Sequence, residues 1–209
     1  MSLYETCKRG LDITISLGTN MLLLPLFAVI AIAIRIGSKG PVIFKQERVG
    51  KNGKPFMFYK FRTMRIDADP FGPSPKTGDD TRLTKVGRFL REYSLDELPQ
   101  LFNVLKGDMS IVGPRPLYVS QMAEWNERQR KRLLVKPGLT GLAQISGRGG
   151  LTREEKLELD IKYVETAGFL TDIKIMIVTL SQVFHRRNVY EKRYSQAEFT
   201  RGERKQEQR

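Results

Sequence analysis

Apolar positions dominate the start of the chain and become periodic further on. Residues 13–34 form a run of 22 positions without a charge, bounded by Asp12 and Arg35. A straight helix of that length covers about 33 Å, close to the thickness of a bilayer core. No small-residue cleavage site follows the run, which speaks against a removed leader. Pro25 sits mid-segment, where it removes a backbone hydrogen bond, and Gly18, Thr19 and Asn20 suit lipid poorly. Lys8 and Arg9 precede the run, and Arg35 and Lys39 follow it. Because Lys and Arg favour the cytoplasmic side, a helix that enters, bends at Pro25 and returns satisfies both flanks. A tilted transmembrane helix fits the same run, and the pattern alone leaves both courses open.

Beyond Arg35 the pattern turns to strands. Residues 42–49 and 55–64 are rich in β-branched and aromatic side chains, and Gly50-Lys51-Asn52-Gly53 supplies a turn, which predicts a β-hairpin. Residues 67–82 hold three prolines and two glycines and read as a long surface loop. Helical patterns follow over 84–92, 95–105, 117–134, 152–166 and 171–187. Thr152 and Glu155 form a capping box at the start of the fourth. In the last, Ile173, Ile177, Leu180 and Phe184 make one apolar stripe, too short to span a bilayer, that packs on the core or lies in the membrane interface. Residues 196–209 are almost wholly polar and are expected to be disordered. The expected fold is α+β and mainly helical: a membrane helix, one small hairpin and amphipathic helices.

Charge narrows the partners. The 209 residues carry 36 Lys and Arg against 23 Asp and Glu, a net +13, which suits nucleic acid, anionic lipid or phosphorylated small molecules. With hydrophobic residues at 40%, there is enough apolar material for a core. Cys7 is the only cysteine, so an intramolecular disulfide and a Cys-rich zinc site are excluded. His185, the only histidine, lies in an amphipathic helical pattern, so acid-base or nucleophilic chemistry falls to carboxylates.

The densest group of candidates is Ser94-Leu95-Asp96-Glu97-Leu98-Pro99-Gln100. Ser94 and Glu97 fit a capping box, and acids in a first turn favour the helix dipole; on that reading Asp96 and Glu97 merely start a helix. Their neighbours point to chemistry. Arg88 and Arg91 lie upstream, and Gly113-Pro114-Arg115-Pro116 lies downstream, where two prolines aim the Arg115 fork in a way that suits a phosphate. A carboxylate pair among arginines can hold a divalent metal and a diphosphate together. The run Arg128-Gln129-Arg130-Lys131-Arg132 reads as a solvated helix face near headgroups, or as a non-specific phosphate grip.

The run from Ser94 through Asp96, Glu97 and Gly107-Asp108-Met109 to Gly113-Pro114-Arg115-Pro116 closely resembles the bacterial sugar transferases, the monotopic phosphoglycosyl transferases. Tyr59-Lys60-Phe61-Arg62-Thr63-Met64 and Lys136-Pro137-Gly138-Leu139-Thr140-Gly141-Leu142-Ala143-Gln144 extend the resemblance, which covers residues 8 to 184. It implies that Asp96 attacks the β-phosphorus of a UDP-sugar, releases UMP and holds the phosphosugar as an acyl phosphate. Undecaprenyl phosphate, a polyprenyl phosphate, then takes the group, giving ping-pong kinetics. Mg2+ is the implied cofactor, with Asp96 as a contact, and Glu97 either deprotonates the lipid phosphate or assists the metal. Arg91 and Arg115 are expected at phosphate, with Arg88 and Lys60 behind them and Gln144 and Arg148 at the nucleotide. The alternative for each is a surface cation or amide.

The resemblance also implies a re-entrant helix over residues 1–36 and a catalytic domain over 37–195 on the cytoplasmic face of the bacterial inner membrane. Pro25 matches the bend, although Leu24 stands where the family often has serine. Anionic membrane lipids are expected partners, and nucleic acid is not. Two rivals compete: a non-catalytic, membrane-tethered basic protein that binds anionic lipid or nucleic acid, and a hydrolase that passes the sugar phosphate to water. No residue selects a sugar.

Overall fold

A computed structural model describes residues 3–70, 72 and 74–184. His185, the end of the helix expected to reach 187 and the tail 196–209 lie outside the described residues. The first helix, α1 (Leu3–Gly37), is unbroken and carries Pro25 in its interior. One stripe faces the protein body: Asp12, Ser16 and Asn20 are buried, and further along so are Ile30 and Ile34. The opposite face is apolar and open, with Met21 66% and Leu22 78% exposed. Over residues 12–22 this is the inverse of a soluble amphipathic helix, whose apolar stripe turns inward. α1 is also the one helix among the described residues long and apolar enough to cross a membrane, so its outer face is read as meeting hydrocarbon and the protein as membrane-associated. Asn20, which suits lipid poorly, bonds the Ser16 carbonyl at 2.8 Å on the protected side.

Both ends of α1 are tied to the same body. Near the start, Arg9 donates to the carbonyls of Val104 and Leu105 at 2.6 and 2.8 Å, satisfying the open end of a short helix. Asp12 accepts from the Ser110 hydroxyl at 3.0 Å and the Ile111 amide at 2.9 Å. Lys8 and Tyr4 reach Asp172, which also accepts from Tyr163. Near the far end, Leu26, Phe27, Ile30 and Ile34 pack with Phe61 and Leu90, and Arg62 closes the helix by donating to Ser38 and Lys39.

The predicted hairpin forms from β1 (Ile43–Val49) and β2 (Pro55–Phe61), antiparallel with Ile43 opposite Phe61 and Val49 opposite Pro55. Asn52 turns the chain at φ 58°, a conformation asparagine tolerates. Then come α2 (Lys85–Glu92), capped by Thr84, and α3 (Gln100–Lys106). The single helix expected over 95–105 is instead a 3-10 turn, Leu95–Glu97, followed by Pro99 and α3. Asn103 is fully buried and docks α3 on the open edge of β2: it accepts from the Tyr59 amide at 3.2 Å and donates to the Met57 carbonyl at 2.7 Å.

A second, unexpected sheet joins β3 (Ser110–Val112) and β4 (Gly138–Thr140) in parallel. The segment 117–134, expected as one helix, breaks into a 3-10 stretch Val119–Glu124, α4 (Glu127–Arg130) and a second 3-10 turn. Trp125 is extended and buried between them, and Asn126 caps α4. α5 (Leu142–Ser146), α6 (Arg153–Thr166) and α7 (Phe169–Phe184) complete the chain, and α6 begins with the predicted Thr152–Glu155 capping box. The main core gathers Phe56, Phe58, Leu101, Val104, Met109, Val112, Tyr163 and Ile175. On α7, Ile175 is buried while Ile177 and Leu180 of the predicted stripe are exposed and Ile173 is half-buried.

Candidate active site

The site forms where the end of β2, the turn after α2 and the loop after β3 converge. Along β2, Lys60 shares the face of Phe56 and Phe58, so it points inward beside them. Its ammonium lies 3.2 Å from Asp96 Oδ2 and 3.3 Å from Glu97 Oε1, bridging the carboxylate pair. Arg115 meets Glu97 through both fork nitrogens, at 2.8 and 3.3 Å. The fork expected to grip phosphate therefore grips a carboxylate here, an anion of similar geometry.

Ser94 makes no capping hydrogen bond and sits at φ 58°, in the left-handed region. The capping-box alternative is thus overturned: Glu97 turns to Arg115 and Lys60, and the Ser94 hydroxyl accepts from Arg148 at 2.9 Å. Arg148 is itself left-handed, at φ 50°. Two non-glycine residues in this conformation, bonded to each other beside a carboxylate pair, store backbone strain of order 1–2 kcal/mol apiece.

The Arg115 backbone is fixed from two sides. Gly113 lies so close to the Lys136–Gly138 backbone that an added Cβ meets the Lys136 carbonyl at 2.4 Å. From behind, Arg132 donates to the Arg115 carbonyl at 2.6 Å while it pairs with Asp160 at 2.7 Å. Arg132 and Asp160 are both buried, which corrects the expectation of a solvated face for Arg132 alone, since Arg128, Arg130 and Lys131 are exposed. Arg128 pairs with Glu158 at the surface and Arg130 bonds the Trp125 carbonyl, so with Arg132 three of the run's four cations make intramolecular contacts.

The electrostatics follow from burial among charges. Burial by itself pushes the Glu97 carboxyl up, but Arg115, Lys60 and Arg148 outweigh it and hold the group well below the usual carboxylate range. Burial lowers the Arg148 pKa, assisted by nearby Arg115 and Arg91 and opposed by Glu97 and Asp96. Asp160 is raised by burial despite its pairing with Arg132.

Of the remaining expected residues, Arg91 contributes its field at Arg148, and Arg88 points elsewhere, to exposed contacts with Asp79 at 3.0 Å and Glu92 at 3.1 Å. Gln144 is buried on α5 with neither amide atom hydrogen-bonded, the state of a polar group lacking its partner. Among the described residues no group of three or more His, Cys, Asp or Glu is placed to hold a metal ion. What the site offers is a pair, Asp96 and Glu97, and magnesium is commonly held by one or two carboxylates plus substrate phosphates.

The sequence profile of the bacterial sugar transferases matches residues 3–186. The chain belongs to that family. It is similar to the uncharacterized sugar transferase EpsL of Bacillus subtilis (strain 168), with 47% identity over 180 residues, 84% of this chain and 86% of EpsL. It is 45% identical over 188 residues to the galactosyl transferase CpsE of Streptococcus agalactiae serotype III (strain NEM316), covering 84% of this chain and 42% of that one. A UDP-glucose:undecaprenyl-phosphate glucose-1-phosphate transferase of Klebsiella pneumoniae is 44% identical over 191 residues, 88% of this chain and 41% of that one. The chain spans most of EpsL but about two fifths of the other two.

Three residues that support the site escaped sequence reasoning: Ser94 as a strained anchor, Asn103 and Arg132. Their partners lie 17 to 54 positions away along the chain, so no local pattern marks them.

Proposed function

We propose that this sugar transferase moves a sugar 1-phosphate from a UDP-sugar to undecaprenyl phosphate, releasing UMP, through a covalent phosphosugar on Asp96. The observation that carries this reading is a buried carboxylate pair held against Lys60, Arg115 and Arg148 by a strained turn that makes no helix cap. The name of the Klebsiella relative supplies the donor and acceptor classes. Relatives named for glucose and for galactose leave the sugar itself open.

In the first step an Asp96 oxygen bonds to the β-phosphorus, and the bond from that phosphorus to the bridging oxygen breaks, so UMP leaves with it. In the second, an oxygen of the lipid phosphate attacks the same phosphorus and the Asp96 carboxylate is regenerated. Lys60, Arg115 and Arg148 are placed to stabilise charge on the transferring group and on the departing UMP. While its cations hold it, Glu97 is a poor proton acceptor. A substrate phosphate that takes the Arg115 fork frees Glu97 to act as a base or to assist a metal. Magnesium fits the Asp96–Glu97 pair together with a diphosphate, and when bound it neutralises phosphate charge.

The contacts of α1 support a re-entrant course. Its start is tied to α3 and β3 and its end to Phe61 and Leu90, all parts of one body. A helix that crossed the bilayer would leave one of those ends on the far side. On this reading the domain sits on the cytoplasmic face of the inner membrane, where the net +13 suits anionic lipid at about 1 kcal/mol per nearby Lys or Arg.

The test is UMP release from a panel of UDP-sugars with magnesium, with and without undecaprenyl phosphate, alongside intact-mass measurement without acceptor. Expected are lipid-linked product from at least one donor, a phosphosugar adduct on the wild type, and neither in Asp96→Asn. Turnover by folded Asp96→Asn at near wild-type rate would sink the covalent route, and free sugar phosphate as the sole product would establish the hydrolase.

A further inference from the structure

Outside the candidate active site, the start of α1 brings an arginine and a lysine together at the end of α3. Arg9 donates from its two terminal nitrogens to the Val104 and Leu105 carbonyls, which leaves its other N–H groups available. Lys136 comes from the loop that leads into β4 and is half-buried. Arg9 Nη2 and Lys136 Nζ lie 3.4 and 3.5 Å from the point where a Cβ on Gly107 would stand, and the next atom to that point is Arg9 Cζ at 3.8 Å. Gly107 closes α3 at φ 96°, a left-handed position natural to glycine, so no side chain comes between the two cations there.

Among the described residues the Lys136 ammonium makes no hydrogen bond and no ion pair. The carboxylates in its neighbourhood are engaged elsewhere. Asp12 accepts from Ser110 and Ile111, and Asp108 pairs with Lys106 at 3.1 Å. Lys51, a further cation in range, pairs with Glu5 at 3.4 Å. Burial lowers the Lys136 pKa, and Arg9 and Lys51 lower it further against Asp12 and Asp108, so an anion between Arg9 and Lys136 relieves the pair. The position of the pair says where such an anion comes from. Arg9 stands one helical turn before the charge-free run, and the next large apolar side chains on α1, Leu11 and Ile13, are exposed. The two cations therefore lie at the height where α1 enters lipid, which is headgroup level. A headgroup carrying its own ammonium would set that charge among Arg9, Lys136, Lys51 and Lys106, so one with net negative charge fits.

We propose that Arg9 and Lys136, at the Gly107 turn, form a binding site for the phosphate of an anionic lipid headgroup. The assignment rests on α1 meeting lipid and is independent of the transferase reading. The bound headgroup ties the start of α1 to the Lys136–Gly138 segment, which packs against Gly113.

The test uses the full chain in a neutral detergent, with Arg9 left in place because it caps α3. Melting temperature is followed against added phosphatidylglycerol, phosphatidylcholine or inorganic phosphate, and native mass spectrometry counts the lipids retained. Phosphatidylglycerol should raise the wild-type melting temperature saturably, as a ligand of the folded state does, and the other two should not. Lys136→Gln should melt near wild type without lipid, need about tenfold more phosphatidylglycerol for the same rise and retain less of it. Lys136→Arg should keep the wild-type response. Lys106→Gln, at an exposed cation nearby, should leave it unchanged and so separates a site from general surface charge. A wild-type titration curve in Lys136→Gln overturns the assignment, as does an equal loss in Lys106→Gln. Equal protection by phosphatidylcholine overturns the anionic headgroup, and equal protection by inorganic phosphate overturns the lipid. No UMP release enters these readouts, so their failure leaves the transferase reading standing.

Discussion

Replacing Arg148 by glycine and by alanine separates what its backbone costs from what its side chain does. Arg148 sits at φ 50°, where a Cβ is crowded, at about 1–2 kcal/mol. Both substitutions delete the hydrogen bond to the Ser94 hydroxyl, worth about 1 kcal/mol, and both remove a buried cation that burial and Arg115 disfavour. Only glycine also removes the Cβ, at the expense of about 0.5–1 kcal/mol of unfolded-chain entropy. The glycine variant should therefore be more stable than the alanine variant by roughly 1 kcal/mol, or about 2–4 °C in melting temperature for a chain of this size. Activity should fall in both, because the cation facing Asp96 and Glu97 is gone. Thermal melts in detergent and UMP release measure the two effects independently. If Arg148→Ala proved as stable as Arg148→Gly, the strain would not exist; wild-type turnover in either variant would remove Arg148 from the site.

Three further outcomes follow from the contacts. Asn103→Ala strands the Tyr59 amide and the Met57 carbonyl at the β2 edge, so the chain should lose about 2–4 kcal/mol in denaturant titration; a loss under 1 kcal/mol would mean the edge finds other partners. Asp160→Asn leaves Arg132 buried without its counter-charge and should cost about 3–5 kcal/mol, whereas Arg132→Met with Asp160→Leu should recover stability but not rate, since the Arg115 carbonyl has lost its donor. Full rate in that double variant would refute a positioning role. Glu97 is held below its usual range, so its contribution to stability is complete above about pH 4.3 and is lost as pH falls toward its lowered native value. Glu97→Gln should show a shallower acid loss below that pH, and an identical acid profile would count against the Lys60–Glu97–Arg115 arrangement.

Features encoded within a few residues were readable in advance. The Thr152–Glu155 box, the hairpin about Asn52 and the charge-free run of α1 each depend on neighbours in sequence. The Ser94–Glu97 box matched the same Ser/Thr-x-x-Glu pattern as the Thr152–Glu155 box and failed: Ser94 is left-handed, and its hydroxyl is bonded by a residue 54 positions away. Three-residue strands such as β3 and β4 carry too few positions for a period, and their parallel pairing is set by close approach at Gly113 and Gly138. The carboxylate pair, Lys60, Arg115 and Arg148 stood out in the sequence, and the structure brings them together. For Arg88 the surface-cation alternative holds: its i+4 partner Glu92 was readable in the helix, while Asp79 lies in a loop with no readable pattern. Arg132 looked solvated among its basic neighbours until Asp160 supplied a buried counter-charge.

The polar face of α1 joins membrane attachment to the chemistry. Asp12 holds Ser110 and Ile111 at the start of the strand that leads into Gly113 and Arg115. Arg9 closes α3, whose Asn103 anchors the strand that carries Lys60. The helix that meets lipid is thus one packing step from each of the two segments that place cations on Asp96 and Glu97. Its inward polar residues would be a liability in a helix standing alone in hydrocarbon, where each unpaired group is costly. Packed here Arg9 and Asp12 act as struts between that helix and the site, so changes at Asp12 should reach activity through the position of Arg115 even where membrane attachment is intact.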